Sequence, residues 1–206
     1  MIEPVSLVTA DGLTLEAEVA RSNHEIARVV LCHPHPLQGG TMRSLVISEL
    51  FRVLPEAGFT CLRFNFRGVG GSDGTHAAGV GERSDALAAV RWLTADVPIP
   101  CFVVGWSFGG DVALSVHDSA IAGWIGIAPP LRFAADLDEF VADPRPKLLI
   151  LAEHDEVRAP ADVLADAESW AALTVEVVPG ASHFFIGRTD RLATLARSWL
   201  TARVRP

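Results

Sequence analysis

The sequence predicts an α/β fold: a mostly parallel, doubly wound sheet entered through an antiparallel hairpin. Three observations predict it. Apolar runs without alternation recur at 26–32, 59–66, 101–104, 121–128, 147–152 and 174–178, as expected of strands covered on both faces. Between them lie segments with apolar residues at helical spacing: 41–54 (Val46, Leu50, Phe51, Leu54), the stretch containing Ala86, Leu87, Val90 and Leu93, 160–170, and 190–200. Strands alternating with helices argue for a parallel sheet. Ahead of them, Val5, Leu7 and Thr9 alternate with polar neighbours, as do Leu13, Leu15, Ala17 and Val19 after Asp11-Gly12, which predicts a hairpin with a primed turn.

The 206 residues suit one domain, 1–206, with one sizeable core. Half of them are apolar and a fifth are charged, ordinary for a globular protein, and a net charge of −8 argues against nucleic acid as a partner. Cys32, Cys61 and Cys101 all fall in apolar runs, and their odd number favours buried thiols over a disulfide framework. The N-terminus shows no basic region followed by an apolar stretch, and no segment reaches transmembrane length. The expectation is a cytoplasmic protein with no membrane partner.

The functional reading starts at Val103-Val104-Gly105-Trp106-Ser107-Phe108-Gly109-Gly110, where Gly-x-Ser-x-Gly lies between an apolar strand and a helix expected over 111–117. A tight strand-to-helix turn of this kind, a nucleophile elbow, forces its serine into a strained backbone conformation. The positions two before and two after must therefore be tiny, and Gly105 and Gly109 meet that demand. A serine hydroxyl is a poor nucleophile at neutral pH; it needs a histidine to take its proton and a carboxylate to orient that histidine. With such an elbow the chain order is serine, acid, histidine, each at the carboxyl end of a strand. Glu153-His154-Asp155-Glu156-Val157 follows the run 147–152, and Gly180-Ala181-Ser182-His183-Phe184-Phe185 follows 174–178. Ser107, Asp155 and His183 are thus the candidate nucleophile, acid and base, with Glu153 an outside alternative for the acid. An oxyanion hole needs two backbone donors. Phe108, just after the serine, is expected to give one. The loop after Cys32 is expected to give the other, and since Pro34 and Pro36 have no N–H, His35, Leu37 and Gln38 remain.

These motifs resemble the α/β-hydrolase superfamily over nearly the whole chain. More closely, they resemble a group of small bacterial serine hydrolases often called dienelactone-hydrolase-like. There a His-Pro-His-Pro-x-x-Gly-Gly loop, here His33 to Gly40, precedes Arg-Phe-Asn-Phe-Arg-Gly-Val-Gly, here Arg63 to Gly70, and then Gly-x-Ser-x-Gly. The family's Gly-x-x-His pattern matches Gly180 and His183. Its Gly-x-x-Asp-x-x-Val pattern matches only at Asp155, since Ala152 replaces the glycine and Val157 comes one place early. The resemblance implies an α/β-hydrolase fold, makes His35 the preferred second oxyanion donor, and casts Arg67 as a tie between neighbouring loops. Dienelactone hydrolases proper use a cysteine nucleophile; Ser107 departs from that, so their substrate is not carried over.

The expected activity is hydrolysis of small carboxylic esters or thioesters through an acyl-enzyme on Ser107. A serine peptidase or acyltransferase on the same residues is the alternative, and a non-catalytic binding module a more distant one. No cofactor or metal is expected. His33 and His35 invite a metal reading, but with no third ligand at suitable spacing they are read as loop-shaping residues. His24, His76, His117 and His154 are expected at the surface. Gly68-Val69-Gly70-Gly71-Ser72 is read as a structural loop rather than a dinucleotide site, and Trp106, Phe184 and Phe185 as acyl-pocket lining or core. Residues 130–146, where a cap is often inserted in this superfamily, have room for one short helix, with Leu131, Phe133, Leu137 and Phe140 as a small apolar cover. A minimal or absent cap and an open site follow. The last strand or helix is left open as a homodimer surface.

Overall fold

A computed structural model of the protein describes residues 2–134 and 137–204. Eight strands form one sheet in the order β1-β2-β4-β3-β5-β6-β7-β8: β1 (Ile2–Val8), β2 (Thr14–Ala20), β3 (Ala27–Cys32), β4 (Phe59–Phe64), β5 (Cys101–Trp106), β6 (Ile121–Ile127), β7 (Lys147–His154) and β8 (Leu173–Ser182). The pairings of β1 with β2 and of β2 with β4 are antiparallel; β3 to β8 run parallel. The central strands lack alternation because both faces are covered. In β3, Val30 and Cys32 face one apolar layer with α2 (Val80–Thr94) and α3 (Phe108–Leu114). Val29 and Leu31 face the other, with α1 (Leu45–Val53) and α6 (Thr189–Val204). All three cysteines are buried, and burial pushes the Cys101 thiol up to about 12. Among the described residues, no helix is long and apolar enough to cross a membrane.

Several local expectations are corrected. The hairpin turn is not a two-residue primed turn. Val8 pairs with Thr14, and residues 9–13 form a longer loop in which Gly12 N–H bonds Thr9 O, with Gly12 at φ 85°. Thr9 Oγ1 accepts the Leu13 N–H at 2.9 Å, a side-chain bond that spacing alone does not reveal. The first helix starts at Leu45 rather than Thr41, because residues 41–44 form a turn closed by Ser44 N–H on Thr41 O. Helix α3 starts at Phe108, immediately after Ser107, and ends at Leu114. α5 (Pro160–Asp166) stops short of Trp170, whereas β7 and β8 extend beyond the expected runs.

Between β6 and β7 lies one short helix, α4 (Asp138–Ala142). Its Phe140 is not a cover: it is fully buried against Trp124 and Trp170 in the core. Leu131, Phe133 and Leu137 also pack against that core, Phe133 on the rings of His35 and Phe108, and residues 135 and 136 of this segment lie outside those described. Among the described residues the fold carries no cap there beyond α4 and this connection.

Candidate active site

The carboxyl ends of β3, β5, β7 and β8 converge on one side of the sheet. β7 and β8 are neighbours paired at His154↔Ser182, so the next residue of each strand, Asp155 and His183, face one another. His183 Nδ1 lies 2.9 Å and 3.0 Å from the two Asp155 carboxylate oxygens, and His183 Nε2 lies 2.8 Å from Ser107 Oγ. Asp155 and His183 side chains are nearly buried, at 5% and 4% exposure, which strengthens their interaction. Asp155 also accepts N–H bonds from Val157 and Arg158, which fixes its carboxylate.

Ser107 sits at φ 56°, ψ −123°, a conformation costing of order 1–3 kcal/mol for a residue other than glycine. Close packing holds it there. A Cβ on Gly105 would lie 1.9 Å from Gly109 O, and one on Gly109 would lie 2.3 Å from Cys32 O, so α3 approaches the sheet as only glycine allows. Ser107 N–H bonds Ile127 O on the neighbouring strand.

The loop after β3 is equally constrained. His33 is fully buried; its Nε2 accepts the Phe66 N–H at 3.0 Å and its Nδ1 donates to Pro34 O at 2.6 Å. Both ring nitrogens are thus committed to the backbone, and His33 is a structural tie between the ends of β3 and β4. His35 caps a 3₁₀ turn over Pro36–Gln38, its Nδ1 accepting the Leu37 N–H at 3.2 Å, while its carbonyl accepts from Gln38 and Gly40. Of the three donors left open by sequence, Leu37 and Gln38 are therefore occupied. The N–H groups of His35 and Phe108 have no partner among the described residues. A cleft of about 260 Å³ opens beside Ser107 and His183, lined by His35, Leu45, Trp106, Val157 and Phe184 among others, with no lysine or arginine.

A family model described as the alpha/beta hydrolase fold matches residues 27–140. The chain is 33% identical over 196 residues to an uncharacterised protein of Rickettsia prowazekii, covering 89% of this chain and 82% of that one. The chain belongs to the α/β-hydrolase family. Among solved structures, this hydrolase is similar to an α/β serine hydrolase homologue from Coxiella burnetii (34% identity, 96% and 97% of the two chains covered, TM-score 0.86). It is also similar to a Xanthomonas campestris α/β serine hydrolase described as lacking a lid (30% identity, 96% and 94% covered, TM-score 0.80).

Other candidates fall elsewhere. Glu153 is exposed, and its carboxylate accepts the Gly180 N–H at 2.7 Å; it supports the loop that carries His183 and does not touch the imidazole of His183 in the manner of Asp155. Trp106 and Phe184 line the cleft, whereas Phe185 is core. Arg67 ties its own loop to α2 and to the hairpin turn, donating to Asp85 and to Asp11. His24 and His154 are exposed, as expected. His117 is instead half-buried beside Trp124 and Phe140, and His76 packs on His35 and Phe108.

Three supporting roles were not evident from the sequence. Glu156 accepts the His183 N–H at 3.1 Å, and Trp106 Nε1 donates to His183 O at 3.1 Å, so the His183 backbone is held from both sides. Asp111, fully buried in α3, accepts N–H bonds from Leu131, Arg132 and Phe133, and burial raises its carboxyl to about 6. An acid inside an otherwise apolar and glycine-rich helix was the available signal for the last.

Proposed function

We propose that this α/β-hydrolase cleaves small carboxylic esters or thioesters through an acyl-enzyme on Ser107. The observation that carries the reading is the hydrogen-bonded line Ser107 Oγ–His183 Nε2 and His183 Nδ1–Asp155. Ser107 Oγ attacks the acyl carbon as its proton passes to His183 Nε2, and Asp155 stabilises the imidazolium. The negative oxygen of the tetrahedral intermediate takes the N–H groups of Phe108 and His35, left free by every other partner in the loop. His183 then gives its proton to the departing alkoxide or thiolate, leaving the acyl group on Ser107. Water attacks that ester by the same route in reverse and releases the acid. The small cleft without lysine or arginine, and the exposed Leu45 and Phe184 in its lining, favour an uncharged apolar acyl group.

The test is pre-steady-state hydrolysis of p-nitrophenyl acetate. A burst of nitrophenol equal to the enzyme concentration is expected, and Ser107→Ala should lose both the burst and at least a thousandfold in kcat. Full turnover by Ser107→Ala would overturn the reading. A preference for anilide substrates, or acyl transfer to an added alcohol in place of hydrolysis, would reassign the same residues to a peptidase or an acyltransferase.

A further inference from the structure

The rings of His35 and Phe108 pack with those of His76 and Phe133, which the acyl-transfer steps do not use, and Phe66 lies against Phe108 at 5.7 Å. The His35 ring packs on His76 (centroids 4.9 Å), Phe108 (5.0 Å) and Phe133 (5.3 Å); Phe108 in turn packs on His76 (5.4 Å) and Phe133 (5.1 Å). The two residues whose N–H groups are free for an oxyanion thus have their side chains held between the same two outer rings. Each outer ring hangs from a loop clamped by a fully buried carboxylate. Glu82, in the first turn of α2, accepts the N–H groups of Ala77 and Gly79 at 2.9 Å and 2.8 Å. Its Oε1 also lies 2.8 Å from His76 Nδ1, at ion-pair distance though off the line of a hydrogen bond. Asp111 clamps residues 131–133 in the same way, by three N–H bonds. The loop backbone on either side of His35 is held by His33 Nδ1 on Pro34 O and by the Gln38 and Gly40 N–H groups on His35 O, whereas the His35 ring has only a single 3.2 Å bond from Leu37 and these ring contacts to fix it.

We infer that His76, anchored by Glu82, is a positioning residue that holds His35 so that its N–H points at the developing oxyanion, with Phe133 doing the same from the other side. This rests on the ester-hydrolase reading above. An oxyanion donor acts on charge that appears only in the transition state, so a misaimed donor lowers kcat and spares KM. Losing a donor outright costs about 100- to 1000-fold, and a donor displaced by loss of its packing should cost less, about 10- to 100-fold.

The experiment measures kcat, KM and the Ki of a trifluoromethyl ketone, whose hemiketal places an oxyanion in the hole, for the wild type, His76→Ala, His76→Phe and Phe133→Ala. Circular dichroism and thermal melts establish that each variant is folded. His76→Ala is expected to lose 10- to 100-fold in kcat with KM within threefold, and to weaken the ketone by the same factor. His76→Phe, which restores a ring at this position, is expected to recover most of both. Phe133→Ala should repeat the pattern from the other side, so the proposal survives failure of one variant to fold. A folded His76→Ala with unchanged kcat, or with a raised KM and unchanged ketone affinity, would overturn the proposal while leaving the hydrolase reading intact. A wild type without Ser107-dependent turnover would overturn both.

Discussion

Ser107, His183 and Asp155 are legible from sequence because each follows an apolar run whose carboxyl end the parallel sheet must place on one side. The residues that aim them are not legible, because their partners meet only through space. Glu156 and Glu153 hold the His183 loop from a strand next door, and His33 joins the ends of two strands through its own ring nitrogens. His33 also yields a prediction with a definite sign. Burial lowers its imidazole from the usual 6.5 to about 4, in keeping with two ring nitrogens committed in the neutral form. Between those values the unfolded chain binds the proton and the folded one does not. Its contribution is therefore fully present above pH 6.5 and is lost as pH falls through about 4. The shift corresponds to about 3 kcal/mol. Urea unfolding of wild type and His33→Gln at pH 7 and pH 4.5 should show the wild-type advantage shrinking by most of that amount at the lower pH. An advantage equal at both values would remove His33 from the account of acid sensitivity.

At the scale of elements, the turn from β5 into α3 depends on close approach more than on helix propensity. A methyl at position 109 meets backbone oxygens of Cys32 and His33 at 2.3 Å and 2.4 Å, whereas one at position 110 first meets Pro129 Cβ at 3.1 Å. The overlap at 109 requires the backbone after β3 to move by the better part of an ångström, whereas at 110 the nearest atoms, Pro129 Cβ at 3.1 Å and Gly105 O at 3.2 Å, need give only a few tenths. Gly109→Ala should therefore lose about 1–3 kcal/mol of stability, and it should lose activity as Phe108 N–H shifts away from His35. Gly110→Ala sits in the same helix and gains up to about 1 kcal/mol of helix propensity, so it should stay within about 1 kcal/mol of wild type. Urea midpoints and kcat for the two variants, compared side by side, check this; equal effects would show that the contact with β3 does not set the turn. The glycine spacing announced this element in the sequence, but not its start. Helix spacing placed it at Asp111, whereas the chain turns helical directly after Ser107. β7 and β8 outran their apolar runs because their ladder, after a register shift beyond Ala152↔Val178, resumes at His154↔Ser182, a pairing set by the neighbouring strand.

On the scale of the whole molecule, the sheet presents its carboxyl edge to solvent with little above it. The chain between β6 and β7 contributes α4, whose Phe140 is committed to the core, and the 131–133 strap, whose Phe133 backs the rings of His35 and Phe108. The cleft is therefore lined in part by side chains that stay exposed, Leu45 at 48% and Phe184 at 49% among them, with no element poised to open or close over them among the described residues. Esterases gated by a lid couple catalysis to a conformational step that a substrate interface can drive. An ungated cleft has no such step to drive. Hydrolysis of tributyrin should then rise hyperbolically with concentration and level off at its solubility limit, following the monomer, with no jump in rate when droplets appear. The pH-stat trace across that limit is the measurement. A sharp rise at the onset of emulsion would mean that the strap at 131–133, or the rim itself, moves to admit substrate, and the open cleft would then be a resting form rather than the working one.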